Sequence, residues 1–518
     1  MKKTAFKKNT IVTIIVAMLC FSCVFAVAFV DGNGGANFDG KYNFMTGGAL
    51  AVTLKTHAST PNMSASGYSG SGETRTTSTA VVGEALPHPA DFTSGGATFT
   101  FVNWLTATGA ITTTVQTAND TYTASWRADV GSGAALKAAE SKYVREINIT
   151  QDIILDASPT TTSVMIAGGE KQSSGNTTTH GYDNVVFQAL APVKIIGNNH
   201  VIAANITGTN AAGICNASPS PYIMFYAGTS GTLDMSDLTL YGGGKQALAV
   251  YSSTATTTNC TISRSGSAAL AGGAIVVSTR GKLRATKCNF KRNVAMYGGA
   301  ILITGTATDN IQDSAGSIAL LESCVLNENR NVSNWGGGAM EINNFSKLYF
   351  VNSTLSNNQS GEVGGGVNAC KNADLYIINS TITGNVTSGA GSNVRYGGGL
   401  GVTKGNINIY NSIVTNNYHY YNGRATQSDI GIVNNSNCTL NAHNSIIGAV
   451  YNSNSTNVTS TYTGGSTTNK TGNSGIGNTG DFYRYDEINI LDANGNITSK
   501  LPKEQAQSPI ITDDKIYL

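Results

Sequence analysis

Thiols are the most reactive side chains in this 518-residue sequence, and there are eight, each able as a thiolate to attack, bind metal or enter a disulfide. Cys20 and Cys23 fall within an apolar N-terminal run, which leaves Cys215, Cys260, Cys288, Cys324, Cys370 and Cys438. Cys260, Cys288 and Cys324 each precede a large apolar residue by two positions (Ile262, Phe290, Leu326) and hold one place in a repeat. That puts their Cα atoms about 4.8 Å apart on neighbouring strands, inside disulfide reach. Three in a row cannot all pair, and in-register parallel neighbours meet a poor dihedral. The column therefore reads either as stacked thiols filling a core or as one bridge through Cys288.

Acid–base chemistry on a sugar needs two or three carboxylates converging on one face. Between positions 230 and 450 the acids are Asp234, Asp237, Asp309, Asp313, Glu322, Glu328, Glu341, Glu362, Asp374 and Asp429, and none keeps the phase of the repeat from copy to copy. No catalytic residue is expected. The histidines (His57, His88, His180, His200, His419, His443) lie far apart, and no Gly-Gly-x-Gly-x-Asp run is present to hold calcium, so neither a metal nor a cofactor is expected. Aromatics are better placed. Tyr297, Trp335 and Tyr396 stand just before glycine pairs, and Asn417 to Arg424 reads Asn-Tyr-His-Tyr-Tyr-Asn-Gly-Arg. Rings on a ridge can stack on a sugar face or a protein, so Trp335, Tyr396, Tyr418, Tyr420, Tyr421 and Arg424 are the candidate ligand contacts, against a competing role in loop packing.

The elements that carry these residues follow from the repeat. Aligned on the Asn-Ser-Thr step at Ser353, the anchors are Cys260, Cys288, Cys324, Ser353, Ser380, Ser412 and Ser445, separated by subtraction by 28, 36, 29, 27, 32 and 33 residues. An apolar residue follows each anchor by two, and from Cys288 onward apolar pairs precede it by five and three, as at Leu348 and Phe350 or Ile407 and Ile409. Such alternation marks short strands with one face always inward. Asn293, Asn329, Asn358, Asn385 and Asn417 recur three residues beyond the apolar position, suited to left-handed corners and to side-chain hydrogen bonds from copy to copy. Glycine pairs from Gly272-Gly273 to Gly398-Gly399 open the next strand. A unit of about 30 residues cannot bury its own apolar face, so the copies stack and pair in parallel. The fold predicted is all-β, a right-handed single-stranded parallel β-helix.

Only 12% of residues are charged and the net charge is +2, with Lys and Arg scattered singly, which argues against nucleic acid as a partner. Lys2, Lys3, Lys7 and Lys8 precede an apolar run from Ile11 to Val30 that ends in Ala26-Val27-Ala28, the pattern of a secretory signal over residues 1–28. Left uncleaved, the segment 11–30 is long enough to anchor in a membrane. Residues 29–131 are rich in Thr, Ser and Gly and read as β or partly disordered. Ser132 to Tyr143 is a predicted amphipathic helix that would cap the first coil of a β-helix spanning 132–450, and 451–518 is a tail or second cap.

Gly272-Gly273-Ala274-Ile275, Gly298-Gly299-Ala300-Ile301 and Phe290-Lys-Arg-Asn293 resemble the Gly-Gly-Ala-aliphatic and Phe-x-x-Asn motifs of the polymorphic outer-membrane-protein family of β-helix adhesins. Asn379-Ser-Thr-Ile-Thr-Gly-Asn, Asn411-Ser-Ile-Val-Thr-Asn-Asn, Ser428-Asp-Ile-Gly-Ile and Asn444-Ser-Ile-Ile-Gly are similar to surface proteins of the choice-of-anchor class. The resemblance covers roughly residues 140 to 450. It implies a pectin-lyase-like solenoid at the cell surface or secreted, presenting loops to a host-cell surface, a glycan or an envelope component. A carbohydrate-active lyase or hydrolase is the alternative.

Overall fold

The computed structural model describes residues 50–116, 120–156, 158–166, 181–204, 222–266, 272–305, 316–333, 336–388, 397–433, 438–443 and 445–451, with four short strands between 488 and 517. Nearly all regular structure is β, arranged as long parallel sheets. In the repeats, the first sheet takes Leu233–Ser236, Thr254–Thr258, Lys282–Thr286, Ile318–Glu322, Lys347–Val351, Ala373–Ile378, Gly405–Tyr410 and Cys438–His443. The second runs from Ile153–Ile154 through Thr354–Ser356 to Ile446–Ile447, and the third from Thr162–Ile166 through Val367–Ala369 to Val450–Tyr451. Successive strands visit the three sheets in turn, and each repeat strand pairs in parallel with its equivalent one copy on. A fourth, shorter sheet from Val294–Ala295 to Tyr418–Tyr421 lies between the second and third along the chain. The repeat thus holds up to four strands: the two carried by the apolar pairs, the one the glycine pair opens, and this short addition.

Register follows the anchors. Ile262, Phe290, Leu326, Leu355, Ile382, Val414 and Ile447 form one row across the second sheet, and Leu283, Ala319, Leu348, Leu375, Ile407 and Leu440 one row across the first. Both rows are buried and belong to one core that extends from Val52 to Val450. Each large aliphatic in it contributes roughly 1.5–3 kcal/mol relative to exposure, and a one-residue slip would turn a whole row outward.

The corners differ from expectation. The recurring asparagines do not supply the left-handed residues. These lie one position earlier: Arg292 (φ 58°), Glu328 (57°), Asn357 (56°), Gly384 (68°) and Asn416 (59°), and before the anchors Asn259 (52°), Lys287 (55°), Asn352 (49°) and Asn379 (48°). A corner residue turned this way bends the chain from one sheet to the next within one step, and the following Asn or anchor side chain is buried. Glycine acts chiefly through close approach. A Cβ on Gly273 would lie 2.0 Å from the carbonyl oxygen of Gly299, on Gly299 2.1 Å from that of Gly338, and on Gly338 1.9 Å from that of Gly365. No side chain fits between these coils.

The first sheet continues into the N-terminal region. Thr121–Val130 pairs in parallel with Val144–Ile149 and antiparallel with Ala97–Leu105, and Leu50–Lys55 pairs in parallel with Thr121–Val130. Phe99, Tyr122 and Trp126 are fully buried there. The predicted helix is present but shorter, Gly133–Ala138, with the Ser132 hydroxyl accepting the Ala135 N–H at 3.1 Å. It packs against Ala97–Leu105 and Gly181–Ala189, so strands lie beyond it on this side. The signal segment 1–28 and the run 11–30 lie outside the described residues. In the tail, Ile488–Leu491 pairs with Ile497–Leu501 and Ile510–Thr512 with Lys515–Tyr517, both antiparallel. Among the described residues no helix is long and apolar enough to cross a membrane.

Candidate binding surface

The anchor column is a chain of backbone-to-side-chain bonds. The Cys324 N–H donates to Ser353 Oγ (2.9 Å), Ser353 N–H to Ser380 Oγ (3.1 Å), Ser380 N–H to Ser412 Oγ (3.0 Å) and Ser412 N–H to Ser445 Oγ (3.1 Å). The Ser353, Ser380 and Ser412 hydroxyls also donate to the carbonyl two residues earlier, at 2.6–2.7 Å. Cys260, Cys288 and Cys324 are free and buried, and their thiols point at the matching carbonyls of Thr258, Thr286 and Glu322 at 3.3–3.4 Å. Of the two readings of the column, stacked thiols is what is found. Cys370 and Cys438 are also free, and Cys215 lies outside the described residues. Hydrogen bonding with Cys260 and Cys324 pulls the Cys288 thiol down, whereas Cys260 is pushed up by its bond to Cys288 and by burial, and Cys324 chiefly by burial.

A second column runs beside it. Asn293 Nδ2 donates to Asn329 Oδ1 (2.9 Å), Asn329 to Asn358 (3.0 Å), Asn358 to Asn385 (2.9 Å) and Asn385 to Asn417 (2.9 Å). Each Oδ1 also accepts the preceding backbone N–H, and each Nδ2 reaches back to a carbonyl in the coil before, as Asn358 to Leu326 at 3.0 Å. The ladder ends on Asp429. Its Oδ1 accepts the Asn417 N–H (2.8 Å) and Nδ2 (2.9 Å), and its Oδ2 accepts from Gln427 Nε2 and the Ala449 N–H, both at 2.8 Å. Burial pushes this carboxyl up despite the four donors. Sequence spacing does not reveal the role, because twelve residues separate Asn417 from Asp429.

Those twelve residues include the hairpin that brings four candidate contacts together. Tyr418–Tyr421 extends the fourth sheet and folds back on Arg424–Gln427 through Asn422 (φ 47°) and Gly423 (φ 73°), the left-handed pair of a two-residue turn. His419 turns inward, buried against Thr387, whose Oγ1 is 3.0 Å from Nδ1. Strand alternation then sets Tyr418 and Tyr420 on the outer face, with Tyr420 48% exposed; Tyr421 faces Arg424 across the turn. Trp335 and Tyr396 lie outside the described residues.

Several carboxylates of the coils are engaged locally. Asp237 sits at a corner (φ 52°) and accepts from Asn259 Nδ2 at 2.7 Å; Glu322 pairs with Arg284 (3.0 Å) and Glu328 with Arg292 (2.5 Å). Glu341 is buried and accepts the Gly337 N–H (3.1 Å) and Asn368 Nδ2 (3.2 Å), with Cys370 Sγ 3.3 Å from its other oxygen, and burial raises it. Asp309 and Asp313 lie outside the described residues. One grouping has no repeat signature. Tyr349 and Tyr376, neighbours in register on the outer side of the first sheet, stack at 4.8 Å beside Ile318, Leu320 and Val351. The chain matches no protein-family model and no curated protein.

Proposed function

We propose that the chain is a secreted or cell-surface, non-catalytic protein in which the stacked sheets close into a right-handed single-stranded parallel β-helix, with Gly133–Ala138 helping to cover its first coil. It acts in the manner of an adhesin, presenting loops to a host-cell surface, a glycan or an envelope component. Residues 1–28 direct export. The observation that carries this reading is the hairpin Tyr418–Gln427: two outward tyrosines and an exposed Arg424 on a strand whose base is held by the buried Asn417–Asp429 network. A rigid base and large rings with few rotatable bonds suit recognition at low entropic cost.

The test is binding of the full chain to a glycan array and to cultured cells, compared with the triple variant Tyr418→Ala, Tyr420→Ala, Tyr421→Ala. Loss of signal with unchanged circular dichroism supports the reading. Equal binding by the variant, or release of reducing or unsaturated sugar ends from an acidic polysaccharide, overturns it; the second result would favour the carbohydrate-active alternative.

A further inference from the structure

A second site lies far from the hairpin, where the N-terminal strands meet the first coils. A cleft of about 380 Å³ is lined there by Lys55, Lys142, Arg145, Glu73 and Tyr143 together with Leu190, Ala191 and Pro192. Its volume falls within the range of small-molecule sites, about 300–1,000 Å³. Three cations face one anion, and that anion is already engaged: Glu73 takes Lys142 Nζ at 2.7 Å and the Tyr143 hydroxyl at 3.1 Å. The Lys142 Nζ–Glu73 bond and the Tyr143 bond hold the carboxylate below its usual range.

Among the described residues the other two cations have no acid. Lys55 Nζ donates to Thr74 Oγ1 at 2.8 Å. Arg145 is half-buried and uses Nη1 on two backbone carbonyls, of Lys142 (2.5 Å) and Val144 (3.3 Å), which fixes the plane of its guanidinium and leaves Nε and Nη2 without a partner among the described residues. Desolvation lowers it, the sign of a charge held away from water without compensation. A planar guanidinium with two free donors matches one carboxylate in a bidentate pair, and a neighbouring ammonium adds charge without demanding geometry. Thr123 and Ser230 add hydroxyls to the wall, and the Leu190-Ala191-Pro192 turn adds an apolar floor.

We propose that this cleft binds a small hydroxylated carboxylate of the sugar-acid class, its carboxylate on Arg145 and Lys55 and its hydroxyls toward Thr123 and Ser230. The site does not depend on the hairpin reading, since the two share no residue.

The experiment is calorimetric titration of the full chain with glucuronate, with glucose and inorganic phosphate as separate titrants, repeated for Arg145→Gln and Lys55→Met. Glucuronate is expected to bind, at least tenfold tighter than glucose, and to weaken about tenfold in each variant and with added salt, since one charge-assisted pair is worth about 1.4 kcal/mol or more. Lys55→Met, a change at a partly exposed strand position, keeps the test decisive should Arg145→Gln fail to fold. Equal affinity for glucose, tighter binding of phosphate than of glucuronate, or unchanged affinity in Lys55→Met each overturns the proposal.

Discussion

The two halves of the anchor column solve one problem with different atoms. From Ser353 to Ser445 an oxygen accepts the N–H of the preceding coil at about hydrogen-bond optimum, 2.9–3.1 Å, and from Cys260 to Cys324 a sulfur occupies the same place. Both donate to the carbonyl two residues back. Oxygen is the stronger acceptor, whereas sulfur fills more volume and is more at home among Ile262, Phe290 and Leu326. The neighbouring asparagine column shows no such exchange. An anchor needs one acceptor and one donor of any kind, but the ladder needs a planar amide that accepts twice and donates twice, and only asparagine has the length and the atoms.

The sharpest way to break this contrast is to remove the amide. Asn358→Leu strands the backbone N–H of Asn329 and removes one hydrogen bond each from Asn329 Nδ2, which keeps the Phe290 carbonyl, from Asn385 Oδ1, which keeps the backbone N–H of residue 358, and from the Leu326 carbonyl. At about 1–3 kcal/mol for the stranded N–H and about 0.5–1.5 kcal/mol for each of the other lost hydrogen bonds, the expected loss is about 3 kcal/mol or more in guanidinium unfolding. A loss below 1 kcal/mol would mean that the column is ornament. Ser380→Ala is expected to cost less, about 1–3 kcal/mol, because it strands only the Ser353 N–H and does so beside intact sheet hydrogen bonds.

Protonation sharpens the comparison further, because a buried acceptor can also be an acid. Glu341 is held neutral to higher pH in the folded chain than in the unfolded one, through burial. The folded state therefore binds the extra proton, and the stability it gives is complete at low pH and lost as pH rises through the folded value. Glu341→Gln, which stays neutral, is expected to gain on the wild type in urea midpoint between pH 4 and pH 7; parallel midpoints across that range would refute a buried neutral acid. The smallest effect belongs to Cys288→Ser, within about 1 kcal/mol, because it converts one half of the anchor column into the chemistry of the other. A variant that fails to fold would show that sulfur volume, not acceptor placement, decides the upper half.

Much of this was legible in the residues. Ser353, Ser380 and Ser412 stack because their spacing and the apolar residue two positions on are a register, and registers survive loops of any length between copies. Asn293 to Asn417 were expected to bond from coil to coil and do, although the left-handed corners belong to the residues before them. What could not be read lies where partners are distant in sequence. Asp429 completes the ladder across an inserted hairpin, Tyr349 and Tyr376 meet only because two outward positions share a register, and Lys55 and Arg145 come to line one cleft through strand pairings of the N-terminal region that no repeat announces. Composition alone described that region poorly, since Thr- and Ser-rich strands that bury Phe99 and Trp126 look much like unstructured chain.

Asp429 carries a consequence for the molecule as a whole. Every rung before it passes hydrogen bonding forward, receiving from one neighbour and giving to the next, so such an array has a polarity and, left open, would end on unpaired donors. A carboxylate only receives. With both oxygens engaged by Asn417, Gln427 and Ala449, the amide ladder closes on Asp429 while the three long sheets run on to Cys438–His443, Ile446–Ile447 and Val450–Tyr451, so the polar column ends inside the stack, one repeat short of its last strands.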